Sequence, residues 1–218
     1  MTLSTMLTLM AEGMGRTFAL FALTLIGSLP LGMIVALLRN NKIVPVRWII
    51  RIYISIIRGT PLMLQLLVWY FGPIFTMQRF GISMPNWRFP SLVLGFVVNY
   101  AAYFAEIYRG GIESIPVGQH EAAEVLGYTK GQTFIRIILP QVIKRIMPSV
   151  TNEVITLVKD TSMAFALAYQ EVFSLAKQIS ASQTSFTPFV IAGIFYFVAN
   201  YVVEFIMNRI EKSLEYYK

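Results

Sequence analysis

The chain has 218 residues, 56% hydrophobic and 13% charged, with a formal net charge of +7 at pH 7 and no cysteine. Its charged share is about half that of an ordinary globular domain, and its mean hydropathy is +0.63. A soluble domain of this size could not bury so much apolar surface. Without cysteine there is no disulfide framework or thiolate metal site. The one histidine, His120, stands beside Glu121 without convergent ligands, so it reads as a solvated loop residue and no metal site is expected.

The apolar residues come in runs long enough to cross a bilayer, which takes about 20 residues in a helix. Residues 17–38 are free of charge. Residues 1–15 contain no Lys or Arg, so this run lacks the basic start of a cleaved signal peptide and reads as a retained span. Residues 59–78 are also uncharged and read as part of a longer helix beginning near Ile49. Residues 89–105 form a third run. Residues 146–169 form a fourth, interrupted by Glu153, Lys159 and Asp160. The fifth run, 186–203, continues to about Met207. The expected fold is an all-α integral membrane protein with five transmembrane helices, one domain over residues 1–218.

Orientation follows from the basic residues. Arg39, Lys42, Arg47, Arg51 and Arg58 follow the first run; Arg109, Lys130, Arg136, Lys144 and Arg145 follow the third; Arg209, Lys212 and Lys218 follow the fifth. These make 13 of the 18 basic residues, against Arg16, Arg79, Arg88 and Lys177 on the other side. The richer side is expected in the cytoplasm, with the N-terminus outside and the C-terminus inside. The positive charge is then a topology signal, and the basic residues form no aromatic-interleaved patch of the nucleic-acid kind.

On this topology the polar segment 109–145 lies in the cytoplasm. The stretch 121–126, EAAEVL, favours a helix that stops at Gly127. Residues 127–131, GYTKG, read as a turn. Residues 132–139 read as a second helix with Phe134, Ile137 and Ile138 on one side, and Pro140 as a break or kink. Such a hairpin either rests on the bilayer surface or docks a partner. Small Ala122 and Ala123 permit close approach, and Gly127 permits a sharp corner.

The stretch 121–140, EAAEVLGYTKGQTFIRIILP, resembles the EAA motif of bacterial ABC importer permeases: EAA, three residues, Gly, nine residues, Ile, one residue, Leu-Pro. It fits without a gap at Glu121, Ala122, Ala123, Gly127, Ile137, Leu139 and Pro140. RGTPLMLQL at 58–66 and NEVITLVKDTSMAFAL at 152–167 resemble the polar amino acid group, the histidine-, arginine- and glutamine-type permeases. The resemblance implies a bacterial inner-membrane, multi-pass subunit. Its implied partners are a second permease copy or similar chain, cytoplasmic ABC ATPase subunits and an extracytoplasmic substrate-binding protein. It also implies coupling to the ATPase through Glu121, Ala122, Ala123, Glu124 and Gly127. The chain has no phosphate loop, since residues 127–133, GYTKGQT, lack the required spacing. ATP and Mg²⁺ are therefore expected on the partner, and no catalytic residue or bound cofactor in this chain.

Ionisable groups within a span need a partner, a wet cavity or a ligand. Glu153 and Asp160, seven residues apart, share a helix face with Thr156 between them, while Lys159 points about 100° away. The pair is either structural or a surface for a substrate ammonium or guanidinium group. Asn99, Tyr103 and Glu106 share one face of the third run. Asn99 and Tyr103 are candidates to orient a zwitterion, and Glu106 is expected to pair with Arg109. Tyr196, Asn200 and Glu204 form a stripe expected to pack. Pro61 is expected to kink the second span, with Arg58 snorkelling and Gln65 one turn on, either lining the pathway or only bending the helix. The expected function is an ATP-driven importer permease for a polar, basic amino acid, working by alternating access. An ion-coupled secondary carrier is the alternative.

Overall fold

The computed structural model describes residues 2–39 and 41–214, and among these all regular structure is helical. Lys218, counted above with the cytoplasmic charges, lies outside the described residues.

Helix α1 spans Leu3–Arg39, so it begins well before the expected residue 17. At about 1.5 Å per residue it is about 55 Å long, more than a hydrocarbon core of about 30 Å requires. The added turns bury Met6, Met10 and Met14. A Cβ at Gly13 would lie 2.7 Å from Leu175 Cδ1 and 3.1 Å from the Val172 amide nitrogen. The missing side chain is what lets α1 meet the start of α8 (Val172–Gln183).

The second expected span is not one helix. Helix α2 (Val44–Gly59) and helix α3 (Leu62–Gln78) are bent from each other by 113°. Thr60 is extended, with φ −124° and ψ 148°, as the residue before a proline tends to be. Pro61 then caps the start of α3. Helix α2 buries only Ile54 and leaves Trp48, Ile49, Ile52 and Ile56 exposed.

Helix α4 (Arg88–Glu113) is the centre of the bundle, burying Phe96, Asn99, Tyr100, Phe104 and Tyr108 along one side. Helices α1 and α4 pack along much of their length. At Gly32 a Cβ would stand 2.8 Å from Phe104 Cβ and 3.1 Å from the Ala101 carbonyl oxygen. Small residues at this crossing, Gly32 against Ala101 and Ala105, let the backbones approach as membrane helix pairs commonly do.

Helix α5 (Val117–Val125) and the single turn α6 (Lys130–Thr133) form a hairpin at the expected place, but the second helix expected at 132–139 is not a separate element. The chain does not break at Pro140. A π-helical turn, Phe134–Ile138, leads directly into α7 (Leu139–Asp160). The Leu139 amide donates to the Phe134 carbonyl, five residues back. This wider turn precedes Pro140, which has no amide hydrogen and crowds the preceding turn.

The fourth expected run is also divided. Helix α7 ends at Asp160, a 3₁₀ segment follows at Thr161–Leu167, and Ala168 is left-handed with φ 51°. Helix α8 has no counterpart among the expected spans. Helix α9 spans Thr187–Ser213. By length and composition α1, α4 and α9 can each cross a bilayer, and the bent α2–α3 pair, a broken span or a re-entrant loop, brings the number to four if it counts as one span. The exposed residues of α9 include Val190, Ile194, Phe197, Val198, Phe205 and Ile206. A face so apolar belongs in lipid or against another apolar surface.

Candidate functional site: a polar cleft and an exposed hairpin

A cleft of about 590 Å³ opens between the end of α2, the C-terminal half of α4 and α7, lined by Arg58, Tyr103, Glu106, Arg145, Ser149 and Glu153 among others. The Arg58 guanidinium carbon lies 5.3 Å from the centre of the Tyr103 ring, within cation–π range. Arg109 donates to Glu106 Oε2 from Nε at 3.2 Å and Nη2 at 3.1 Å. The pairing expected for Glu106 is thus present. It is joined by an Arg39–Glu106 ion pair and by Arg58 at 3.8 Å. Arg109 also pairs with Glu113. One acid therefore ties the ends of α1 and α2 to α4. Arg145 donates to the Ser114 carbonyl, closing the other edge.

The expected substrate residues have four different settings. Tyr103 and Glu153 line the cleft. Among the described residues Glu153 has no ion-pair partner. Asp160 lies two turns further along α7 and accepts a 2.7 Å hydrogen bond from the Tyr100 hydroxyl. Thr156 lies between the two acids in sequence, and its hydroxyl donates to the Asn152 carbonyl at 2.9 Å. Asn99 and Gln65 are buried and joined to each other, Asn99 Nδ2 donating to Gln65 Oε1 at 2.9 Å.

Gln65 also explains the sharp corner. Its Nε2 lies within donating distance of the Ile57 carbonyl (2.8 Å), the Thr60 carbonyl (3.0 Å) and Thr60 Oγ1 (2.8 Å). The carbonyls freed by the break at Pro61 thereby regain donors, as a low-dielectric surrounding demands. Gln65→Leu removes this donor and the acceptor for Asn99. Each buried polar group left unpaired costs about 1–3 kcal/mol, so the variant should show a lowered thermal unfolding midpoint in detergent. An unchanged midpoint would remove Gln65 from the role of corner clamp.

Glu171 escapes the sequence reading. It is fully buried and caps α8, accepting from the Phe173 amide at 2.7 Å and the Ser174 amide at 2.6 Å. Tyr196 of the α9 stripe donates its hydroxyl to the same carboxylate at 2.7 Å. Asn200 donates to the Tyr196 carbonyl at 2.9 Å, whereas Glu204 is exposed. The stripe therefore packs at Tyr196 and Asn200 only. Burial pushes the Glu171 carboxyl above the usual carboxylate range, opposed by these hydrogen bonds.

The hairpin is held by backbone rules. The Gly127 amide donates to the Glu124 carbonyl at 2.9 Å and the Tyr128 amide to the Ala123 carbonyl at 3.0 Å, with Gly127 at φ 79°. This is a Schellman cap with glycine in the left-handed position. Thr129 then starts the next turn through a capping box with Gln132. Glu121, Ala122 and Glu124 are exposed, but Ala123 is buried inside the hairpin. Ala123 thus serves the hairpin's own packing, and Ala122 is the alanine open to a partner. The tip is apolar and bare, with Val125 87% and Leu126 72% exposed.

Residues 28–216 match the family described as the binding-protein-dependent transport system inner membrane component. The chain is 34% identical to the L-cystine transport system permease protein TcyB of Bacillus subtilis (strain 168), over 96% of this chain and 88% of that one. It is 35% identical to the arginine transport system permease protein ArtQ of the same organism, over 94% and 91%. Among solved structures it resembles a crystal structure of an amino acid ABC transporter with histidines, at TM-score 0.86 and 30% identity, covering 98% of this chain and all of that one.

Proposed function

The chain belongs to the binding-protein-dependent transport system inner membrane component family, within its polar amino acid ABC importer permeases, and from that premise we propose that it carries a basic amino acid by alternating access. The observation that carries the substrate reading is Glu153, an acid lining a polar cleft with no ion-pair partner among the described residues. Asp160 stands on the same helix face, engaged by a neutral tyrosine. Carboxylates at membrane depth that stand outside any ion pair favour a cationic guest, and a carboxylate holds a guanidinium by charge-assisted bonds.

In this reading α7 is also a span, the fourth of five in chain order, before α9. Its composition is too polar for lipid on all sides, which suits a helix lining a shared cavity. The N-terminus lies outside and the C-terminus inside. A second copy faces the cleft, and an extracytoplasmic binding protein delivers the substrate. Two cytoplasmic ATPases, which bind the ATP and Mg²⁺, grip the hairpin at Glu121, Ala122, Glu124 and the Val125–Leu126 tip. Their two nucleotide states move the hairpin because they contact it differently. Tyr103 lines the path beside Glu153, while Asn99 and Gln65 hold its wall.

The test is uptake of labelled arginine into proteoliposomes containing this chain, its ATPase and its binding protein. Uptake should require ATP and be competed by lysine more strongly than by glutamine. Uptake driven by an ion gradient without ATP would overturn the importer mechanism. Stronger competition by glutamine would overturn the basic preference alone.

A further inference from the structure

A second cleft, about 410 Å³, lies where the hairpin joins α7, lined by Gln119, Arg136, Ile137, Pro140, Lys144 and Leu214 among others. It joins three elements: α5 through Gln119, the π-turn and α7, and the residue after α9. Arg136 and Lys144 are eight residues apart. In a regular α-helix that spacing leaves them about 80° apart around the axis. The π-turn at Phe134–Ile138 takes up an additional residue and narrows this divergence. Both cations therefore border one cleft.

Among the described residues no acid lines this cleft, and neither cation has a carboxylate within 4.0 Å. The polar floor is neutral: Gln141 Nε2 donates to Gln119 Oε1 at 3.1 Å and to the Ile137 carbonyl at 2.9 Å. The walls are apolar, formed by Ile137, Pro140 and Leu214. Outside it, Ile135, Ile143 and Ile210 are exposed. Two cations above an apolar wall, at the ends of two long helices, match a phosphate group that carries acyl chains. Basic pockets between membrane helices on the cytoplasmic side commonly hold such headgroups.

We propose that this cleft binds the phosphate headgroup of an anionic phospholipid of the cytoplasmic leaflet, fastening the root of the hairpin to the end of α9. The inference rests on the orientation proposed above. It makes the hairpin's mobility, and hence its coupling, dependent on lipid charge.

The test titrates the purified full-length chain in detergent with short-chain phosphatidylglycerol, short-chain phosphatidylcholine or inorganic phosphate, reading the thermal midpoint. Phosphatidylglycerol should raise the midpoint and the other two should not. In Arg136→Gln/Lys144→Gln the apparent affinity should fall about fivefold for each cation, about 25-fold together. Arg136→Lys/Lys144→Arg should restore it, which separates lost binding from lost folding. An equal shift with phosphatidylcholine, or an unchanged affinity in the double glutamine variant, overturns the site. An equal shift with inorganic phosphate overturns the lipid assignment. The readout uses neither ATPase nor amino acid, so its failure leaves the transport reading standing, and failure of the uptake test leaves this one standing.

Discussion

Gly127→Val should uncouple ATP hydrolysis from uptake while leaving insertion and the thermal midpoint close to the parent's. Gly127 sits at φ 79° and supplies one of the two amides that close the Schellman cap. A Cβ there meets no atom within 4 Å, so the penalty is purely one of backbone conformation. A residue with a side chain in the left-handed region costs about 1–2 kcal/mol, enough to shift the hairpin's population about 5- to 30-fold. The Val125–Leu126 tip then loses its fixed direction. A short series isolates the cause. Asn tolerates the left-handed region and should stay close to the parent, Ala should be intermediate, and Val should be worst. The measurement is arginine taken up per ATP hydrolysed. Parent-like coupling in the Val variant would end the docking role of this corner. An Asn variant as poor as Val would show that the side chain, not the backbone, is at fault.

That corner is readable because its determinants are local: a helix former over 121–126 and a glycine at 127. The Thr129–Gln132 capping box is just as local, yet it starts the next turn at Lys130, before the expected residue 132. Glu153 and Asp160 are readable in the same way: their shared face follows from helix period because α7 runs unbroken between them. What escapes is what distant residues decide. Pro61 announces a kink, but the 113° bend depends on Gln65 reaching back to Ile57 and Thr60 and on Asn99 from another helix. The i, i+4 arithmetic that groups Asn99 with Tyr103 says nothing of that partner. Helix α8 has a glutamate at its cap, an uncommon choice, satisfied by Tyr196 from α9. Its existence is a tertiary fact. The early start of α1 is similar: its first turns are held by burial of Met6 and Met10, which composition alone does not reveal.

The double variant Glu153→Gln/Asp160→Asn should lose most arginine and lysine uptake without losing the fold. Both changes keep size and hydrogen-bonding capacity while removing charge, and the amide oxygen introduced by Asp160→Asn can still accept from the Tyr100 hydroxyl. A charge-assisted hydrogen bond contributes about 1.5–3 kcal/mol, so each loss should weaken binding about 10- to 150-fold. Seven residues of helix place the two acids about 10.5 Å apart along the axis, too far for one guanidinium to bridge. If both bind, one holds the α-ammonium group and the other the side-chain cation. A basic amino acid should then suffer from either single change, whereas a neutral polar amino acid, with one cation, should suffer from only one of them. Asp160→Leu supplies the contrast: it orphans the Tyr100 hydroxyl and should lower the thermal midpoint, which Asp160→Asn should not. KM for arginine, measured beside that midpoint, separates the two effects. A double variant with the parent's KM for arginine would exclude the acids from the substrate path, and would leave Glu153 an acid in a wet cleft without a guest.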